Sequence, residues 1–267
     1  SMYSAQELLE EKLATKVVIT KEEKERIEPL RPIDRKSEEC IRGYHYENCY
    51  PPRMHILSNG TLSYVTTETG LSYLKCRDIY VNRFRKNLYG NQYGAFIYIR
   101  DINENLSYSA TYAPSKQIPE TYKSVFYPEK AEYRRRNAEL TTTLDITLST
   151  ENNALLQTVT LFNHSGREKE VEVTSYLELI LSSIDQDLAH PAFNSLFIRT
   201  FEKEGVLFAV RRPRGEKEKN LYASHFGVTD FIPEGDISYE TDRAKFVGRK
   251  HTTQDPHGVR EPFSNIT

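Results

Sequence analysis

Residues 139–149 read Glu139-Leu140-Thr141-Thr142-Thr143-Leu144-Asp145-Ile146-Thr147-Leu148-Ser149, and this stretch decides the fold. Leu140, Leu144, Ile146 and Leu148 alternate with Thr141, Thr143, Asp145, Thr147 and Ser149, and Thr142 falls on the apolar side. A two-residue period places successive side chains on opposite faces of an extended chain, so the segment predicts a half-buried β-strand. Working outward, runs of similar texture occupy 61–67, 93–99, 107–112, 122–127, 131–136, 154–162, 168–182 and 205–212. Asn163-His164-Ser165-Gly166 between two of them reads as a hairpin connection. Many strands without long helices between them predict an antiparallel sandwich.

The run at 168–182 carries a second message. Val171, Val173, Ser175, Leu177, Leu179 and Leu181 share one face, and Glu172, Thr174, Tyr176 and Glu178 share the other. The expectation is a strand that buries its aliphatics and shows a polar working face, suited to sugar contact or to a polar partner.

Upstream the texture differs. Ser4-x-x-Glu7 and Thr20-x-x-Glu23 have capping-box spacing, predicting two short helices, the first with a Leu8, Leu9, Leu13 stripe. Pro29, Pro32, Pro51 and Pro52 then punctuate an aperiodic connection. The organisation read from this is a helical extension and linker over 1–50 and a sandwich over 51–267 that is cut short at its C-terminus. Ser1 ahead of Met2 reads as the scar of a removed tag.

Composition excludes several classes. The chain has 267 residues with 38% hydrophobic content, enough for a sizeable core, and its aromatics are 18 Tyr and 12 Phe with no Trp. A net charge of −2, from 36 basic and 38 acidic residues, gives no nucleic-acid footprint. The short run Arg134-Arg135-Arg136 reads as a solvated strand end. Cys40, Cys49 and Cys76 cannot all pair and lack C-x-x-C spacing, which suits a reducing compartment without structural zinc. No apolar run approaches the roughly 20 residues of a membrane span, and no signal peptide is legible. The expected location is the cytoplasm, alone or as the cytoplasmic part of a larger membrane-associated protein.

No phosphate-binding glycine loop, G-x-S-x-G or H-E-x-x-H is present, and the sequence singles out no pair of acids for glycoside chemistry. Asp187-x-x-His190-Pro191 has two readings. His190 orients a ligand hydroxyl while Asp187 fixes its tautomer, or Asp187 and Pro191 shape a loop in which His190 meets a backbone carbonyl. Arg211-Arg212-Pro213-Arg214 reads as a grip on phosphate or acidic groups, or as a strand exit facing a neighbouring domain. Arg100-Asp101 and Arg77-Asp78 read as ion pairs at strand ends. Tyr73, Tyr108, Tyr112 and Tyr176 are candidates for stacking on sugar rings, with core packing as the alternative.

Taken in order, several segments resemble the N-terminal β-sandwich domain of glycoside hydrolase family 94 (GH94), the inverting glycoside phosphorylases once called glycosyltransferase family 36. The form found in cyclic β-1,2-glucan synthases is the nearest echo. The matching pieces begin with His55-Ile56-Leu57-Ser58-Asn59-Gly60, Gly70-x-x-Tyr73, Arg77-Asp78-Ile79 and Arg83. They continue with Tyr98-Ile99-Arg100-Asp101, Ser109-Ala110-Thr111-Tyr112-Ala113-Pro114 and Thr174-Ser175-Tyr176-x-Glu178. Asp187-x-Ala189-His190-Pro191-Ala192-Phe193 and Arg211-Arg212-Pro213-Arg214 complete the series, which covers about residue 50 to the end. The chain departs from the family by carrying Cys76, Phe84 and Tyr108 in place of Trp, and Leu74 in place of Ser.

The resemblance implies an all-β, antiparallel super-β-sandwich of the galactose mutarotase type with short N-terminal helices. It also implies that the general acid and phosphate groups lie in an (α/α)6-barrel domain. The expected role is a non-catalytic carbohydrate-binding or scaffold domain of a phosphorylase or glucan synthase acting on β-glucans. Its candidate sugar or domain contacts are Tyr176, Glu178, Asp187, His190, Arg211, Arg212 and Arg214. Expected partners are a β-glucan oligosaccharide, the barrel and a second copy in a homodimer. The resemblance implies no resident cofactor or metal, with inorganic phosphate as co-substrate of the parent enzyme. A free-standing carbohydrate-binding module and a mutarotase-like enzyme are the competing readings, the latter needing His190 and a carboxylate to converge.

Overall fold

A computed structural model describes residues 41–45, 52–84, 92–213, 215, 218–235, 237–261, 263 and 265–267. The helices expected before residue 29 lie outside the described residues.

Strands β1 (Arg42–Tyr44), β2 (Met54–Ser58), β3 (Leu62–Thr67), β4 (Ser72–Cys76) and β5 (Ile79–Asn82) open the described chain. Next come β6 (Phe96–Asp101), β7 (Leu106–Ser109), β8 (Thr121–Phe126), β9 (Lys130–Asn137), β10 (Leu140–Leu148) and β11 (Leu155–Asn163). Strands β12 (Val171–Tyr176) and β13 (Leu179–Ser182) lead into helices α1 (Ile184–Ala189) and α2 (Pro191–Ser195). Strands β14 (Ile198–Lys203), β15 (Val206–Arg211) and β16 (Leu221–His225) and helix α3 (Arg243–Val247) follow.

Among the described residues every strand pairing is antiparallel, in four sheets ordered β1-β8-β9-β10-β11, β12-β6-β7, β13-β5-β4-β3-β2 and β14-β15-β16. The expected all-β super-sandwich is what the chain forms. Strand β10 runs through nine paired positions with β11, and its Leu140, Thr142, Leu144 and Ile146 are buried as the alternation required.

One core is filled by Leu57, Leu62, Tyr64 and Leu74 from one five-stranded sheet and by Phe126, Tyr133, Leu144 and Ile146 from the other. Ile97, Ile99 and Tyr108 of the β12-β6-β7 sheet close it. The opposite side chains of β6, Phe96 and Tyr98, enter a second core with Phe246, Val247 and Val259. Strand β6 is therefore apolar on both faces because it is packed on both.

The tyrosine-rich composition has a structural reason. Buried phenols need acceptors, and each finds one. Tyr133 Oη donates to the Thr67 carbonyl at 2.7 Å, Tyr122 Oη to the Glu68 carbonyl at 2.9 Å and Tyr98 Oη to the Thr253 carbonyl at 2.6 Å. Tyr108 Oη lies 3.1 Å from Thr142 Oγ1, which explains a threonine on the apolar side of β10.

Several expectations are corrected. The run at 168–182 is two strands: β12 pairs with β6, the chain turns at Leu177–Glu178, and β13 pairs with β5 in another sheet. Its polar face is covered at one end, where Tyr176 stacks on Phe246 at 4.8 Å and 16°, and open at Glu172, while Val173 on the supposedly hidden side is 49% exposed. Residues 163–166 join β11 and β12 across two sheets and so form no hairpin. Arg100 pairs with Glu172 on the adjacent strand at 3.0 Å and Asp101 with Lys169 in the connection before β12 at 2.8 Å, so neither pairs with its neighbour in sequence. Arg134 and Arg136 are exposed, but Arg135 is fully buried, its guanidinium 4.7 Å from the Tyr108 ring centroid. The Arg135 nitrogens donate to the Ser109, Thr111 and Gln117 carbonyls and to Asn137 Oδ1 at 2.6–2.9 Å. Burial without a neutralising carboxylate among these partners brings its pKa down to about 10.

Candidate functional site

The corner between β12 and β13 gathers most of the residues singled out from sequence. Arg83, one residue past β5, is the hub. Its backbone N–H donates to the Glu178 carbonyl at 2.8 Å, which ties the corner to the β5 edge. Its guanidinium then grips two carboxylates. Nε donates to Asp187 Oδ2 at 3.0 Å and Nη2 to Asp187 Oδ1 at 2.8 Å, a fork-on-fork contact. Nη1 donates to Glu178 Oε1, and Nη2 also reaches the Pro191 carbonyl at 3.1 Å.

Local sequence explains how Asp187 arrives there. Ser183 caps α1, its Oγ accepting from the Gln186 N–H, and Asp185 and Asp187 sit in the first turn where the helix dipole favours negative charge. Pro191 cannot continue α1 and opens α2 at its first turn. That break turns Asn194 inward, where it is completely buried. Its Nδ2 donates to Ser182 Oγ at 3.0 Å and to Asp187 Oδ1 at 3.4 Å, and its Oδ1 accepts from Arg211 Nη2 at 2.9 Å. Arg211 is the last residue of β15, 4% exposed, with its guanidinium 5.8 Å from the Phe197 ring centroid.

From the other side, Asp242 caps α3 by accepting from the Ala244 N–H, which sets Arg243 at the first helical position. Arg243 Nε donates to Glu178 Oε2 at 3.0 Å, and Tyr176 Oη donates to the same oxygen at 3.4 Å. Burial alone would disfavour the Arg83 charge, but the hydrogen bond to Asp187 and the charges of Glu178 and Asp187 outweigh it and hold Arg83 above its ordinary range. Arg243 is raised for the same kind of reason, with Glu178 prevailing over burial. Burial, then the adjacent Glu178 carboxylate, push the Tyr176 phenol well up.

The structure thus brings Tyr176, Glu178, Asp187 and Arg211 into one lattice. It leaves two expected residues at the rim. His190 is exposed between α1 and α2 with its ring edge-on to Phe193, and Arg212 is exposed just past β15. Arg214 lies outside the described residues. Three lattice members, Arg83, Asn194 and Arg243, were not among the candidate contacts. Only Arg83 had a signal, as one of the motif residues of the resemblance. Among the described residues, no group of three or more His, Cys, Asp or Glu is arranged to hold a metal, and no helix is long and apolar enough to cross a membrane.

Chemically, the lattice neutralises its acids with arginines inside the fold. Its geometry fixes the β12–β13 corner, α1–α2 and α3 to one another. Four antiparallel sheets among the described residues, with a charge-locked corner, have the architecture of a β-supersandwich domain. The family model for the glycosyl hydrolase 94 supersandwich domain matches residues 37–267, and the chain belongs to that family. The chain is 31% identical over 199 residues to the cyclic beta-(1,2)-glucan synthase NdvB of Rhizobium meliloti (strain 1021). That match covers 74% of this chain and spans 7% of the relative's length.

Proposed function

We propose that this chain is the non-catalytic N-terminal sandwich of a larger GH94-type glycoside phosphorylase or cyclic β-1,2-glucan synthase. In that role it contacts β-glucan oligosaccharide and positions an (α/α)6-barrel catalytic domain, for which inorganic phosphate is a co-substrate. The proposed setting is the cytoplasmic side of the cell, with two copies forming a homodimer. The observation that carries the reading is the engagement of both corner carboxylates. Glu178 is held by Arg83 and Arg243, and Asp187 by Arg83 and Asn194. An acid poised to protonate a glycosidic oxygen needs a lone pair or proton directed at substrate. Similarity to a glucan synthase supports a β-glucan as the sugar.

The test joins two measurements on the 267-residue chain. Calorimetric titration with β-glucan oligosaccharides is expected to show binding, and incubation with oligosaccharide and phosphate is expected to release no sugar 1-phosphate. Phosphorolysis by this chain would overturn the non-catalytic half of the reading. Absence of any glucan binding would overturn the other half and leave a scaffold alone. A mutarotase-like reading draws little support, since Asp187 is engaged by Arg83 while the His190 ring packs at the surface against Phe193.

A further inference from the structure

The five-stranded sheet β13-β5-β4-β3-β2 turns Leu57, Leu62, Tyr64 and Leu74 into the larger core. The alternate side chains face the other way, and the strand register sorts them into two rows. Ile56 pairs with Val65 and Val65 with Tyr73, giving an apolar row over β2, β3 and β4. The Phe84 ring extends it, 4.8 Å from Tyr73. Beside it, Ser58 pairs with Ser63, Ser63 with Lys75 and Lys75 with Tyr80, giving a polar row over β2 to β5. The two serine hydroxyls lie 3.0 Å apart, and the Lys75 ammonium sits 5.5 Å from the Tyr80 ring centroid.

Tyr73 and Tyr80, 5.4 Å apart and inclined at 39°, join the rows. Tyr73 meets Phe84 at 52°, so none of the three rings is covered face to face by another. Ile56 is 62% exposed and Met54 48%, so the β2 end of this face is open among the described residues, while Val65 in the middle of the apolar row is 6% exposed.

We infer that this face is a binding platform for a neutral β-linked gluco-oligosaccharide. The inference rests on the carbohydrate-binding reading above and gives it a location. A pyranose ring has an apolar C–H face and a rim of hydroxyls, so it is matched by an aromatic and aliphatic strip running beside hydrogen-bonding groups. The two rows supply that arrangement and carry one charge, Lys75, which a neutral polyol satisfies as an acceptor. Four strands about 4.8 Å apart span roughly 14 Å, the reach of a short oligosaccharide. A protein partner would typically bury about 800 Å² on each side.

The test titrates the 267-residue chain with sophoro-, laminari- and cello-oligosaccharides and compares it with Tyr73→Ala, Tyr80→Ala, Tyr73→Phe and Tyr222→Ala. Tyr222, 71% exposed on β16, controls for an aromatic residue elsewhere on the surface. Urea midpoints confirm that each variant is folded, and Tyr80→Ala carries the test if Tyr73→Ala is not. The expected result is at least tenfold weaker binding in Tyr73→Ala and Tyr80→Ala, with Tyr73→Phe and Tyr222→Ala near wild type. Glucan binding that survives both alanine variants would overturn the platform and leave the carbohydrate reading standing. No glucan binding by the wild type would overturn both. Self-association abolished by Tyr73→Ala, without glucan binding, would reassign the face to contact between copies of this chain.

Discussion

Arg83 and Asp187 stand 104 residues apart in the chain and meet in a forked contact, Nη2 to Oδ1 at 2.8 Å and Nε to Oδ2 at 3.0 Å, with Nε also 3.2 Å from Oδ1. Their side chains are 13% and 2% exposed. A pair buried to this degree contributes little by existing and costs much when halved, because the survivor is an uncompensated charge. Arg83→Ala is expected to destabilise the fold by about 3–5 kcal/mol, read from urea midpoints at constant slope. Arg83→Lys is expected to recover little of this, since a point charge cannot serve Asp187 and Glu178 in the forked geometry. A loss below about 1 kcal/mol, typical of a surface pair, would place the contact outside the structural lattice.

Arg135 makes a different prediction. It is buried in the larger core and holds the 109–117 segment by donating to three backbone carbonyls. Arg135→Met removes a buried cation but strands those acceptors at about 1–3 kcal/mol each. The expected outcome is a loss of at least about 3 kcal/mol, lowering the thermal midpoint by roughly 6–12 °C at about 2–4 °C per kcal/mol. An unchanged midpoint would mean that the carbonyls find other donors.

Gly70 sits at φ +93°, and a Cβ there would lie 2.3 Å from Thr111 Cβ. Gly70→Ala therefore combines backbone strain with a core collision, for about 2–4 kcal/mol of destabilisation. Thr111→Gly in the same chain should return part of it. Additive losses in the double variant would show that the two sites do not touch.

The dependence on pH has two limbs. Burial, followed by the Arg42 charge, lowers the His55 pKa, so the unfolded chain binds more protons and stability falls as pH drops below about 6.5 toward the folded value. Burial pushes the Tyr64 phenol up to about 12 and raises Tyr98 and Tyr133 as well. Their contribution is complete below about pH 10 and is lost as pH climbs through the folded values. Denaturant midpoints from pH 4 to 12 should trace both limbs, and His55→Phe should flatten the acid one. An acid limb unchanged in His55→Phe would assign it to other groups.

Strand β10 was legible because one face meets a core and the other does not, so its alternation survives in the sequence. The same reasoning failed for β12 because its two ends meet different cores: Val171 packs against one and Tyr176 against the other, while Val173 between them is 49% exposed. Arg135 was misread because a buried arginine satisfied by backbone carbonyls leaves no compositional trace. The candidate site was half legible. Tyr176, Glu178, Asp187 and Arg211, singled out one by one as candidate sugar or domain contacts, lie in one lattice, but the arginines that bind its acids, Arg83 and Arg243, are set by tertiary folding and by no local spacing. Ordered motif resemblance carried the family where periodicity alone gave only a sandwich.

The central claim is that the corner acids serve architecture and not bond cleavage. The most direct measurement incubates the purified 267-residue chain with β-1,2-linked gluco-oligosaccharides and inorganic phosphate and follows sugar 1-phosphate over time. The account predicts no release above the protein-free control, with Glu178→Gln indistinguishable from wild type in this assay and less stable to urea. Steady release that Glu178→Gln or Asp187→Asn abolishes would contradict it.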